Sequence, residues 1–131
     1  MDLPATFLDV AACSPGLAVQ GTSLLPMING LHPPWRDWAL SEYRDSGFTT
    51  DPQIMTTMLR HEHWKLIIWH GSPATQGKRD GELYDLSADP HELQNLFHEP
   101  EHATVRRRLK LKLLDVMAET EDRSFPQLRD W

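Results

Sequence analysis

The stretch Gly81-Glu82-Leu83-Tyr84-Asp85-Leu86-Ser87-Ala88-Asp89-Pro90-His91-Glu92-Leu93-Gln94-Asn95-Leu96 constrains this chain more than any other. Leu83, Tyr84 and Leu86 form a short apolar run with Asp85 facing the other way, the pattern of a partly buried strand. Proline lacks an amide donor and drives the residue before it out of the helical region, so Asp89-Pro90 is expected to end that strand in a tight turn. Asn95-Leu96 come next, and a second acidic-proline step, Glu99-Pro100, opens the final helix. Upstream segments must therefore supply strands to pair with this stretch, and the downstream segment must supply a helix to pack on it.

Three upstream segments fit that demand. Trp38 to Tyr43 and Ile54 to Arg60 read as strands, and Trp64 to His70, rich in branched and aromatic residues, is the most strongly patterned of all. His61-Glu62-His63 between the last two predicts a hairpin. Arg44 to Gln53 and Gly71 to Gly81 carry loop chemistry. From Glu101 onward, Val105, Leu109, Leu113 and Met117 recur every four residues, with Leu111, Leu114 and Val116 broadening the stripe, so a long helix is expected to lie across one face of the sheet. At the other end, Asp2 caps a helix that places Leu3, Phe7, Val10 and Ala11 on one side and is stopped by Ser14-Pro15-Gly16. Gly21-Thr22-Ser23 caps a single turn through Ile28, which Asn29-Gly30 ends. The expected fold is α+β: a four-stranded antiparallel sheet packed by a long C-terminal helix, with an N-terminal helix.

Composition narrows the function classes. With 131 residues, 40% of them hydrophobic, the chain can bury one modest core, or it is a subdomain of something larger. No apolar run approaches membrane-spanning length. A formal charge of -6 argues against nucleic acid as a partner. Arg106, Arg107, Arg108, Lys110 and Lys112 are flanked by Glu99, Glu101, Glu119 and Glu121 with no aromatic residue interleaved, the pattern of a solvated helix face. Cys13 is the single cysteine, which rules out an internal disulfide. Met1 is followed by Asp2-Leu3-Pro4 rather than a basic and then apolar segment, so no signal peptide is expected, and the cytoplasm is expected if Met1 is the true start. His61, His63 and His70 could gather around a metal, but no Cys, Asp or Glu lies at a ligand spacing, and solvated histidines at strand ends are the simpler reading.

The order of short motifs resembles the late part of the sulfatase family, within the alkaline-phosphatase-like superfamily. Asp2-Leu3 to Ala11 resembles the family's D-L-x-P-T-x-L-D-L-A-G helix, with Pro4 one place early and Cys13 an unusual ending. Gln20 to Gly30 resembles G-x-S-L-x-P-L-L-x-G, Ser41-Glu42-Tyr43 resembles S-E-Y, and Arg60 with Trp64-Lys65-Leu66-Ile67 resembles R-x-x-x-W/Y-K-L-I. Glu82 to Leu96 resembles E-L-Y-D-L-x-x-D-P-x-E-x-x-N-L, the most specific of the set.

The resemblance implies a C-terminal subdomain, with residues 1–30 at the edge of a catalytic domain and 31–131 forming the subdomain itself. It implies calcium or magnesium and a formylglycine in the full-length family, with their motifs upstream of the region this chain covers. Cys13-Ser14-Pro15-Gly16-Leu17 is tempting beside the activation motif C/S-x-P-x-R. Leu17, however, stands where the arginine is required and cannot make its charge-assisted hydrogen bonds. No catalytic or metal residue is therefore assigned. Arg60, His61 and His63, at a strand junction, are expected at the edge of a substrate pocket. The chain is expected to be inactive alone and to meet either the missing catalytic domain or a second copy through exposed apolar surface. Alternatives are a free-standing interaction or oligomerisation module, or a fragment of a related phosphatase or phosphonate hydrolase.

Overall fold

A computed structural model describes residues 2–14, 19–44, 55–70 and 80–121. The loop segments 45–54 and 71–79, the Pro15–Leu17 part of the cysteine motif and the tail 122–131 lie outside the described residues. The chain divides into two compact units, Met1–Trp35 with Met117–Trp131, and Arg36–Val116.

The larger unit holds the sheet. Strands β1 (Trp38–Arg44), β2 (Met55–His61), β3 (Trp64–Trp69) and β4 (Asp80–Asp85) form an antiparallel meander in the order β1-β2-β3-β4. The strands and hairpin expected from the sequence are all present. Register places Leu40, Leu59, Leu66 and Leu83 in one cross-strand row. Leu59, Leu66 and Leu83 are fully buried. Side chains alternate along a strand, so Trp64 and Ile68 share that face with Leu66. Glu62, in the two-residue turn joining β2 to β3, takes a φ of 55°, as the first central position of a primed hairpin turn requires.

Helix α3 (Ala103–Glu119), entered through a single 3-10 turn at Pro100–His102, contributes Leu109, Leu113 and Val116 as its buried residues. Leu109 joins Trp64, Leu66, Leu83 and Phe97 in the core, with Ile68, Leu96 and Val105 packed against it. Each such leucine contributes about 1.5–3 kcal/mol relative to an exposed one. The buried stripe is narrower than its sequence pattern, because Leu111 and Leu114 are exposed. At 100° per residue both lie on the far side of the helix axis from Leu109, outside the reach of the sheet.

The strand β4 ends at Asp85, well before Pro90, and the cause is local. The Asp85 carboxylate accepts hydrogen bonds from the Ser87 amide (2.9 Å), the Ser87 hydroxyl (2.5 Å) and the Ala88 amide (3.3 Å), which turns the chain at once. Near the other end of β4, Gly81 is buried with no room for a side chain. A Cβ there would strike the Ile67 carbonyl oxygen and lie 2.5 Å from Cε2 of Phe97.

In the smaller unit, α1 (Asp2–Val10) is followed by the short α2 (Leu25–Ile28). Helix α1 stops earlier than Ser14-Pro15-Gly16 would impose. Ala12 takes a left-handed φ of 53°, and the Cys13 and Ala12 amides donate to the Leu8 and Asp9 carbonyls at 2.9 and 3.0 Å, a Schellman closure.

Gly81→Ala is expected to destabilise by about 1–3 kcal/mol through forced displacement of Phe97 and the Ile67 backbone, read from urea midpoints; an unchanged midpoint would contradict the packing described. Ala12→Gly is expected to raise stability by up to about 1 kcal/mol, because glycine carries no left-handed penalty, and thermal melting checks the sign.

Candidate functional site

The signature Glu82–Leu96 is the first candidate for chemistry, and its polar residues are largely committed to holding the sheet. Asn95 replaces a fifth strand at the outer edge of β4. Its Oδ1 accepts from the Leu83 amide (3.1 Å) and the Phe97 amide (2.9 Å), its Nδ2 donates to the Gly81 carbonyl (3.3 Å), and the Leu96 amide donates to the Leu83 carbonyl (2.8 Å). The chain at 92–96 is thus an edge latch.

Other signature residues support the latch. Asp89 accepts from the Gln94 amide at 2.8 Å. Glu92, with a φ of 57°, pairs with Lys65 at 2.5 Å. Glu82 accepts from the Tyr84 hydroxyl (2.9 Å) and the Trp69 indole N–H (3.2 Å). Burial, and then the hydrogen bond donated to Glu82, push the Tyr84 phenol up to about 12. The Gly81 amide and then His98, whose Nε2 lies 2.8 Å from Oδ1 of Asp80, hold the Asp80 carboxyl below its usual range. The Asp85 carboxyl is held low chiefly by the Ser87 hydroxyl.

Phe97 anchors the latch from below. Its ring faces Gly81, the Arg106 guanidinium lies 5.2 Å and the Lys110 ammonium 4.9 Å from its centroid, and Arg106 Nη1 donates to its carbonyl. The basic run on α3 is therefore not one patch. Arg106 and Lys110 serve Phe97, Arg108 pairs with Glu62 at 2.9 Å, and Arg107 and Lys112 remain.

The expected pocket-edge residues separate. Arg60 and His61 are neighbours on β2 and so project to opposite faces of the sheet, Arg60 being exposed. His61 is 14% exposed, with Nδ1 3.6 Å from Asp37 and Nε2 3.9 Å from Glu62. His63 is exposed in the turn, its ring 5.1 Å from that of Trp64. His70 lies beyond the far end of β3, about 20 Å along the strand, within 2.7 Å of the Thr57 hydroxyl. The three imidazoles do not converge, and among the described residues no group of three or more His, Cys, Asp or Glu could hold a metal ion. Cys13 is exposed.

A shallow groove of about 480 Å³ runs along the outer side of α3 past His61, Arg107, Arg108, Leu111, Lys112 and Asp115. Of these, the sequence marks only His61 as a pocket residue. The signal that could have found the others is charge spacing: Arg107 has no acidic residue three or four positions away, and Arg108 and Lys112 are like charges at i, i+4.

A meander backed by one helix, its motif residues engaged in closing a strand edge, is an α+β fold. Residues 1–119 match the family model for the C-terminal region of N-sulphoglucosamine sulphohydrolase, and the chain belongs to this family of sulfatase C-terminal domains. It is 33% identical over 106 residues to human arylsulfatase K, covering 73% of this chain and 18% of that protein. It is 28% identical over 126 residues to an N-acetylglucosamine-6-O-sulfatase of Bacteroides thetaiotaomicron, covering 93% and 21%. The chain thus spans about a fifth of the length of these relatives. Among solved structures it is similar to one in complex with its substrate D-glucosamine-2-N,6-O-disulfate (TM-score 0.75, 26% identity, 98% of this chain and 25% of that one). It is also similar to the phosphonate monoester hydrolase of Agrobacterium radiobacter (TM-score 0.71, 27% identity, 92% and 25%).

Asn95→Ala is expected to cost about 2–3 kcal/mol, since it leaves two amides and a carbonyl unpaired at a part-buried edge; Asn95→Asp should recover part of this at neutral pH by keeping the acceptor. Because the folded Asp85 carboxyl titrates below its unfolded value, its contribution is complete above the unfolded pKa and fades as pH falls through the folded one. The stability gap between wild type and Asp85→Asn should therefore shrink on acidification, measured as urea midpoints at neutral and acid pH.

Proposed function

We propose that this chain is the C-terminal portion of a sulfuric ester hydrolase and has no turnover of its own, its role being to brace the catalytic domain and contribute to the rim of the substrate pocket. The observation that carries this reading is the orientation of α1. Its polar stripe is turned inward: Asp2 accepts from the Thr22 amide (3.1 Å), Thr6 from the Leu24 amide (2.9 Å) and Asp9 from the Ser23 hydroxyl (2.5 Å), with Thr6 only 6% exposed. Its apolar stripe faces out, with Leu3 59%, Phe7 67% and Val10 65% exposed. A helix in this orientation wants an apolar partner over Leu3, Phe7 and Val10. In relatives of which this chain spans only about a fifth, a catalytic domain is the natural occupant.

Calcium or magnesium and formylglycine would supply the polarised sulfate and the nucleophile in the whole protein. The described residues of this chain do not fit such an ion, and no step of the reaction is assigned to them. Of the rim candidates, Arg60 and His61 face opposite ways, so a pocket on either side of the sheet would meet one of them together with His63 at the turn. A sulfated glucosamine is the favoured substrate class, by likeness to relatives that act on one. The phosphonate monoester hydrolase neighbour makes a phosphonate or phosphate ester the alternative.

The purified chain, supplied with calcium or magnesium and an aryl sulfate, is expected to show no hydrolysis above a buffer control; turnover would overturn the claim of inactivity. Light scattering with an apolar dye is expected to show dye binding and self-association that Phe7→Lys reduces. A dye-silent monomer would count against α1 as a docking face. Stoichiometric self-association that persists beside a co-expressed catalytic domain would favour an interaction module.

A further inference from the structure

The groove on α3 is electrostatically unfinished. Among the described residues, neither Arg107 nor Lys112 has a carboxylate within ion-pair distance, in a chain with 19 acidic residues against 13 lysines and arginines. Asp115, three residues from Lys112, makes no ion pair with it. Arg108 and Lys112 repel across one helical turn, and Glu62 relieves only the first of them. The helix has no acidic residue in its first turn, so no carboxylate there offsets the cations that follow. Arg107 and Lys112 are thus free to meet a negative group from outside the chain.

We propose that this groove is an accessory binding site for a short saccharide carrying two anionic groups, sulfate or carboxylate, held by Arg107 and Lys112. The two Cα positions are about 7.5 Å apart along the axis, which suits charges on one or two sugar rings rather than a single small anion. The volume of about 480 Å³ likewise exceeds what one inorganic ion would fill. Leu111, exposed between the two cations, offers an aliphatic surface for the C–H face of a ring, and Thr104 on the same wall offers a hydroxyl. Among the described residues no aromatic ring besides the His61 imidazole lines the groove, so they offer no stacking platform of the kind single-stranded nucleic acid uses. Asp115 closes the C-terminal end with a negative charge and confines the ligand to the cationic part.

Calorimetric titration of the 131-residue chain tests this without reference to catalysis. A disulfated hexosamine disaccharide is expected to bind saturably at one site, at least tenfold more tightly than inorganic sulfate and far more tightly than the unsulfated disaccharide. Arg107→Ala and Lys112→Ala should each weaken binding about tenfold, with helix content unchanged by circular dichroism, while Arg44→Ala on β1 leaves it intact. Equal weakening by Arg44→Ala, equal affinity for an oligonucleotide of matched charge or for inorganic sulfate, or no saturable binding would overturn the proposal. Inactivity or activity of the chain toward aryl sulfates bears on the hydrolase reading alone.

Discussion

One asparagine completes the sheet. Strand β4 would otherwise present a row of unpaired backbone groups, a template for pairing with another chain. Asn95 meets that row with a side-chain amide that donates and accepts as a strand would, and it simultaneously folds its own backbone so that Leu96 and Phe97 turn under the sheet. Phe97 then occupies the space left by Gly81, and two cations of α3 lie against its ring. The position of the helix, the sheet edge and the core thus meet at a few adjacent residues, which is why a proline-bounded motif of modest length can identify a whole subdomain.

Much of this was legible in the sequence, because the meander arises from period-two patterning and turn chemistry that act over a few residues. The strands from Trp38 onward and the hairpin at His61–Trp64 needed nothing else. What escaped the sequence depends on partners distant along the chain. Nothing local marks Asn95 as an edge-closing residue; that role exists only once Leu83 and Gly81 are beside it. The stop at Asp85 is a short-range effect that proline overshadowed in reading. Leu111 and Leu114 extend an apolar pattern without extending the buried stripe, since only the sheet decides how wide that stripe is.

Helix α1 shows a different limit. Its apolar positions were correctly grouped on one face, yet that face is the exposed one, because the connector after it satisfies the polar face through Asp2, Thr6 and Asp9. Periodicity reports which residues belong together and is silent on which side is covered. The same separation applies to function. The residues that best mark the family are engaged in the sheet edge, whereas Arg107 and Lys112, which belong to no motif, are the cations of α3 with neither an ion pair nor a ring contact among the described residues.

The order of the strands carries a further consequence, in time rather than energy. Every strand neighbours in space the one before it in sequence, and the connections are two residues between β2 and β3 and ten on either side. Loops of that length close in about 10–100 ns, and sheets built from such local pairings reach their fold quickly relative to those needing distant strands. The latch, the helix and most of the groove come after the last strand. The meander can therefore zip from hairpin to hairpin as a growing nucleus, with Asn95 arriving to close an edge already formed.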